Sequence, residues 1–160
     1  VATAGTEHLG MDRCETSEFE NSCSPVKQYC LDTFVKEKLD SEEKIDYLSI
    51  DAEGYECLVL EGGRGVLRRV RYLEFENHQF GAWASNSLEL VVNMLEDHHF
   101  ACYWAGRKQL WRITHGCWVD EVYNEKVWSN VACINLDDHV SSSVATRMED
   151  TFRRTLGEAR

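Results

Sequence analysis

The sequence predicts an α/β fold. Three observations carry that expectation: an apolar run at 47–51 that ends on a carboxylate, helical spacing on either side of it, and a second apolar run at 72–76. Strand–helix–strand–helix followed by a hairpin is an α/β signature. The helical connection between the two runs is expected to be a right-handed crossover.

The elements follow in order. Residues 1–24 are small, polar and acidic, and read as loop with at most one short strand near the start. After Pro25, the only proline, 26–29 reads as a short strand. Leu31, Phe34, Val35 and Leu39 then recur at helical spacing, with Asp32 or Thr33 in the first turn. A charged connection at 40–44 leads into 47–51, which reads as a strand buried on both faces apart from Ser49. A helix is expected over 54–60 with Tyr55, Leu58 and Val59 inward, closed by Gly62 and Gly63. Residues 65–70 add a helical turn, and 72–76 form the second strand. Leu88, Val91, Val92 and Leu95 mark one face of an amphipathic helix over 87–97. Residues 100–104 and 109–113 read as a hairpin around a turn at 106–108, and 130–135 as a last strand. Beyond Asp137 the chain is polar, with a weak helix over 143–156.

At 160 residues the chain suffices for one domain with a core. A net charge of −11 repels phosphate backbones, so nucleic acid is not expected as a partner. The one dense basic cluster, Arg64, Arg68, Arg69 and Arg71, reads as a solvated helix face and turn. No apolar stretch reaches membrane-spanning length and no signal peptide opens the chain, which leaves the compartment undefined. Seven cysteines without a CxxC pair argue against a complete disulfide framework and against a zinc site. Reduced cysteines packing as small hydrophobes are expected; a Cys14–Cys23 or Cys102–Cys117 bridge in an oxidising compartment is the alternative.

In an open α/β sheet ligands bind beyond the carboxyl ends of the strands, where Asp51 and Glu53 are placed. A carboxylate there can take a proton from a hydroxyl, pair with a cation or bind a metal. The structural alternative makes Glu53 and Glu56 helix-start residues favoured by the dipole, with Asp51 as an N-cap-like acceptor. Glu74, Glu76 and His78 end the second strand and can complete a polar cluster at the same sheet edge; a carboxylate with an imidazole suits a general base or a metal ligand. His98 and His99 read as surface residues at a helix C-terminus, and the tryptophans of the second half as packing or, less expectedly, a stacking platform.

The run Ile45-Asp46-Tyr47-Leu48-Ser49-Ile50-Asp51-Ala52-Glu53-Gly54-Tyr55-Glu56, followed by Val59-Leu60-Glu61-Gly62-Gly63 and Leu73-Glu74-Phe75-Glu76, resembles the FkbM family of S-adenosylmethionine-dependent methyltransferases. Cys30-Leu31-Asp32 is similar to the family's element ahead of this strand, and the likeness extends over roughly residues 25–135. Two positions depart: Ser49 stands where lysine is common, and His98-His99 where a glycine before Phe100 is usual.

The resemblance implies a partial Rossmann-like class I methyltransferase fold, mostly parallel, with a C-terminal antiparallel hairpin over 1–137 and a polar tail over 138–160. It also implies that the glycine-rich cofactor loop lies upstream of Val1, so that the N-terminal strands are missing and the chain alone is inactive. Val1-Ala2-Thr3-Ala4-Gly5 looks like the tail of the third strand, which places Ala4 with Asp51 on the cofactor side. The implied reaction is O-methylation of a sugar or other small polyol-like or glycan acceptor. Asp51 would orient or deprotonate the hydroxyl, Glu53 and Glu76 would support it, and His78 would be a second base. A metal-dependent variant would use Asp51, Glu53 and Glu76 as oxygen ligands. The rival from a different class is a non-catalytic remnant or interaction module of the same fold.

Overall fold

The computed structural model describes residues 3–4, 24–25, 27–40, 43–125 and 127–158. Two short strands, β1 (Thr3–Ala4) and β2 (Ser24–Pro25), pair antiparallel in a ladder of their own. Val26, the start of the strand expected over 26–29, lies outside the described residues, and 27–30 are irregular. The central sheet contains β3 (Ile45–Ile50), β4 (Val70–Asn77), β5 (Phe100–Ala105), β6 (Leu110–Arg112) and β7 (Ser129–Asn135), in the order β3-β4-β7-β5-β6.

In this sheet β3 and β4 form the one parallel pairing, with Ile45 opposite Val70 and Ile50 opposite Phe75; the other three pairings are antiparallel, so β5 runs in the direction of β3 and β4 while β7 and β6 oppose them. Among the described strands the sheet is therefore mixed, where the sequence predicts it mostly parallel. The reason is β7. Its residues Val131, Ala132, Cys133 and Ile134 are buried on both faces, and that continuous apolar run suits a central strand. It inserts between β4 and β5 and runs against both.

One face of the sheet is covered by α1 (Leu31–Lys38), α2 (Glu56–Glu61), α3 (Arg64–Leu67) and α4 (Leu88–Asp97), which pack Val35, Leu60, Leu67 and Leu95 against Leu73, Phe75 and Phe100. Asp32 ties α1 to the start of α3, its carboxylate accepting the N–H groups of Gly65 (3.1 Å) and Val66 (2.9 Å). That use of a side-chain oxygen satisfies amides that a helix start leaves without partners. A short helix, α5 (Asp120–Tyr123), precedes β7. The C-terminal stretch, expected as polar and weakly helical, forms the 17-residue α6 (Ser142–Glu158). It buries Met148 and Phe152 against Ala101, Tyr103, Ala132 and Ile134 on the opposite face, and Thr155 Oγ1 accepts the Leu110 N–H at 3.2 Å.

Two expectations are corrected here. The strand at 47–51 is not buried on both faces: Tyr47 is 55% exposed, and β3 pairs with β4 alone among the described strands. Its outer face carries polar and aromatic groups instead. The rings of Tyr47 and Tyr72 stack at 5.4 Å, and both hydroxyls donate to Glu74, at 3.4 and 3.3 Å. Burial, reinforced by the Glu74 charge, pushes the Tyr72 phenol up to about 12, so it stays a donor.

The cysteines differ as well. Cys102 and Cys133 are bridged, neither reduced nor joined as Cys102–Cys117. They face each other directly in the β5–β7 register, with Cα atoms 4.0 Å apart, whereas Cys117 accepts from Arg112 Nε at 3.3 Å. Cys30, Cys57 and Cys117 are free; Cys14 and Cys23 lie outside the described residues.

Candidate functional site

The chain leaves β3 at Ile50 and turns before α2 begins at Glu56. Two consecutive residues of this turn have left-handed backbone, Glu53 at φ 51° and Gly54 at φ 99°. Such values suit glycine and strain a residue with a Cβ. Gly54 is required for a second reason. A Cβ there would lie 2.8 Å from the Phe80 carbonyl oxygen, and a Cβ on Gly81, at φ 60°, would lie 2.8 Å from that of Gly54. The loop after β3 and the loop after β4 touch backbone to backbone, and the Ala82 N–H donates to the Gly54 carbonyl at 2.8 Å.

Glu56 sits beneath this junction, fully buried. Its Oε1 accepts the N–H groups of Ala52 (2.9 Å) and Gly54 (3.1 Å), and its Oε2 accepts the indole N–H of Trp83 at 2.8 Å. Three neutral donors converge on one buried carboxylate, which matches the rule that buried polar groups are hydrogen-bonded. The sequence reading makes Glu56 a helix-start residue and turns Tyr55, Leu58 and Val59 inward. In the structure the turn delays the helix by two residues, so Glu56, Cys57 and Leu60 are the buried set and Leu58 is 51% exposed.

The other acids are placed differently. Asp51 and Glu53 are exposed. Asp51 is not the helix cap, because Tyr55 occupies that position without a side-chain bond and Glu56 takes the turn's amides. Glu76 is half-buried on β4, one step beyond the last parallel pair, Ile50 with Phe75, and Asp51 takes the corresponding step on β3. The topology thus brings Asp51 and Glu76 to one end of the parallel pair. Glu74 is occupied by the two tyrosine hydroxyls. Ala4 lies in the separate β1–β2 ladder.

His78 is buried just past β4, its ring 4.9 Å from that of the exposed Trp128 and 5.6 Å from that of Phe80. Its Nδ1 accepts the Phe80 N–H at 3.1 Å. In the neutral ring the proton then sits on Nε2, which is buried and has no hydrogen-bond partner among the described residues. The Nδ1 lone pair of His78 is thus taken by the Phe80 amide. Three of the four clustered arginines are used within the fold: Arg64 pairs with Glu61, Arg69 donates to the Asp40 and Glu43 carbonyls, and Arg71 pairs with Asp46 and Asp138.

Sequence reasoning missed Glu56 as the residue under the site. The available signal was a glutamate two positions after a glycine that ends a strand turn, with a tryptophan downstream; only the fold brings Trp83 to it. Among the described residues no group of three or more His, Cys, Asp or Glu is arranged to hold a metal ion, and no helix is long and apolar enough to cross a membrane.

No curated protein and no solved structure matches the chain. Residues 2–102 match the family model described as the methyltransferase FkbM domain. That span contains the β3 turn, the buried Glu56, β4 and the loop that follows it, so the motif's acids and glycine are those that form the strand-end junction. The chain belongs to the FkbM methyltransferase family.

Proposed function

We propose that this protein is an S-adenosylmethionine-dependent O-methyltransferase acting on a hydroxyl of a sugar or another small polyol-like acceptor. One observation carries the reading. The structural work at the β3 turn is done by Glu56, which leaves the Asp51 and Glu53 carboxylates exposed beyond the strand end, where ligands of such sheets bind.

The chemistry of this turn fits the methyl donor: two exposed carboxylates suit a cationic sulfonium. When bound, S-adenosylmethionine supplies an electrophilic methyl group on positively charged sulfur. Asp51 would accept the acceptor hydroxyl's hydrogen bond, orient its oxygen in line with the methyl–sulfur bond and take its proton as the C–O bond forms, the methyl–sulfur bond breaks and the neutral thioether leaves. Glu53 and Glu76 keep the surroundings acidic. Holding two reactants in line replaces a bimolecular encounter by a positioned one, and this supplies much of the rate.

The test uses the whole protein with methyl-labelled S-adenosylmethionine and a panel of monosaccharides, glycosides and polyols. Label is expected on a hydroxyl oxygen of a panel member. Asp51→Asn should lower kcat by about 100-fold or more, as expected for a positioned proton acceptor, with an unchanged melting temperature. Near-normal turnover in that variant removes Asp51 from the mechanism. Failure of the whole protein to bind S-adenosylmethionine by calorimetry favours the non-catalytic interaction module.

A further inference from the structure

We propose that Glu56 is a positioning residue: a buried brace that fixes the Asp51 and Glu53 carboxylates relative to the loop after β4. Its catalytic consequence rests on the methyl-transfer reading above; its mechanical consequence does not.

A peptide unit is planar, so holding an amide N–H fixes the Cα of the residue before it. The Ala52 N–H belongs to the plane that contains the Asp51 Cα, and the Gly54 N–H to the plane that contains the Glu53 Cα. Both donate to the same Glu56 oxygen, at 2.9 and 3.1 Å. One atom therefore sets the orientation of the backbone on which both exposed acids are mounted. The second carboxylate oxygen takes the Trp83 indole, and Trp83 is fully buried in the short 3-10 turn at Gly81–Ala84 that follows β4. Glu56 thus couples the two strand-end loops, and the Gly54–Gly81 backbone contact keeps them at minimum separation.

This is not ordinary helix capping. Glu56 is the first residue of α2 and reaches back to residues 52 and 54, outside the helix. In a capping box the acid lies at the third helical position and serves the cap residue's amide. Glu53, moreover, is held at φ 51°, a conformation that persists in a residue with a Cβ only where the surroundings enforce it. The two bonded amides flank Glu53.

Glu56→Gln tests the brace at nearly constant shape. It replaces one acceptor oxygen by an NH2 group, so at least one of the three donors meets another donor. Amide exchange at Ala52 and Gly54, followed by NMR, is expected to accelerate about tenfold or more, while amides of β4 and β7 stay within about threefold of the parent. Labelled methyl transfer is expected to lose about tenfold or more in kcat with the KM for S-adenosylmethionine within about threefold, the split expected for lost positioning. Trp83→Phe keeps a large ring and removes only the indole N–H; it should give a smaller acceleration at the same two amides, and it serves if the Gln variant does not fold. Unchanged exchange at Ala52 and Gly54, or acceleration spread evenly over the sheet, overturns the brace. Accelerated exchange with no methyl transfer in the parent protein keeps the brace and removes the enzymatic reading.

Discussion

At the C-terminal end of the parallel pair β3–β4, the buried Glu56 carboxylate is held by neutral N–H groups; at the opposite end, Asp138 is held by cations. Asp138 accepts from Arg71 Nε at 3.1 Å and lies 3.9 Å from Lys44 Nζ, while Arg71 also pairs with the exposed Asp46. Both carboxylates stitch loops to the same two strands. A carboxylate bound by buried amides and an indole is insensitive to salt, and removing it strands donors that water cannot reach. A carboxylate bound by partly exposed guanidinium and ammonium groups is screened by salt and lost in acid. The end that carries the exposed acids of the motif is therefore tied down by the less salt-dependent chemistry.

The largest effect expected from this contrast is on stability at the Glu56 end. Glu56→Ala leaves three buried donors without an acceptor, and urea unfolding should show a loss of about 2–5 kcal/mol. The loss should be nearly the same at low and high salt. A loss that shrinks as salt rises breaks the contrast.

Arg71→Gln is expected to destabilise less, and its effect should diminish as sodium chloride is raised from about 0.1 to 1 M, where the screening length falls from about 10 to 3 Å. It should also be acid-sensitive. Burial pushes the Asp138 carboxyl up, but the Val140 amide and then Arg71 and Lys44 outweigh it and hold it below the usual carboxylate range. A depressed folded pKa stabilises above the unfolded value and loses that contribution as pH falls through the folded one. The stability difference between parent and variant should thus be fully present above about pH 4, decline below it, and vanish once the pH lies under the depressed folded pKa. A difference that persists in acid removes the ionic explanation.

The smallest effect sharpens the description of the ionic end. His99 joins α4 to β5 with φ 64°, the left-handed conformation that favours glycine. His99→Gly is expected to raise stability by about 0.5–1 kcal/mol, read as a higher melting temperature. No gain would mean that the His99 contact with Asp137, 3.8 Å away, offsets the strain.

The helices α1 and α4, the strands β3, β4 and β7 and the β5–β6 hairpin were legible because each has an apolar period of its own. The position of Asp51 at a strand end was legible for the same reason, since an apolar run that stops on a carboxylate marks both the strand and its tip. The glycine expected before Phe100 also has a physical basis in the left-handed backbone at His99. What could not be read were relations between elements distant in sequence. The slot that β7 takes between β4 and β5, and hence the Cys102–Cys133 bridge, depends on pairing strands separated by α5 and the loops around it. The exposure of Tyr47 depends on which face the helices leave open. The lone-pair state of His78 depends on where the Phe80 amide points.

By itself the sequence determined the family, the order of strands and helices, and the placement of Asp51, Glu53 and Gly54 at the end of a strand, because local periodicity and a contiguous motif carry that information. The tertiary structure decided which acid is mechanical and which is free. Asp51, Glu53 and Glu56 are chemically alike and five positions apart at most. Only the two left-handed residues at 53 and 54 and the arrival of Trp83 from the loop after β4 bury Glu56 among donors and leave the other two at the surface. Burial is a property of the packed chain, and it separates the three acids that the sequence presents as equals.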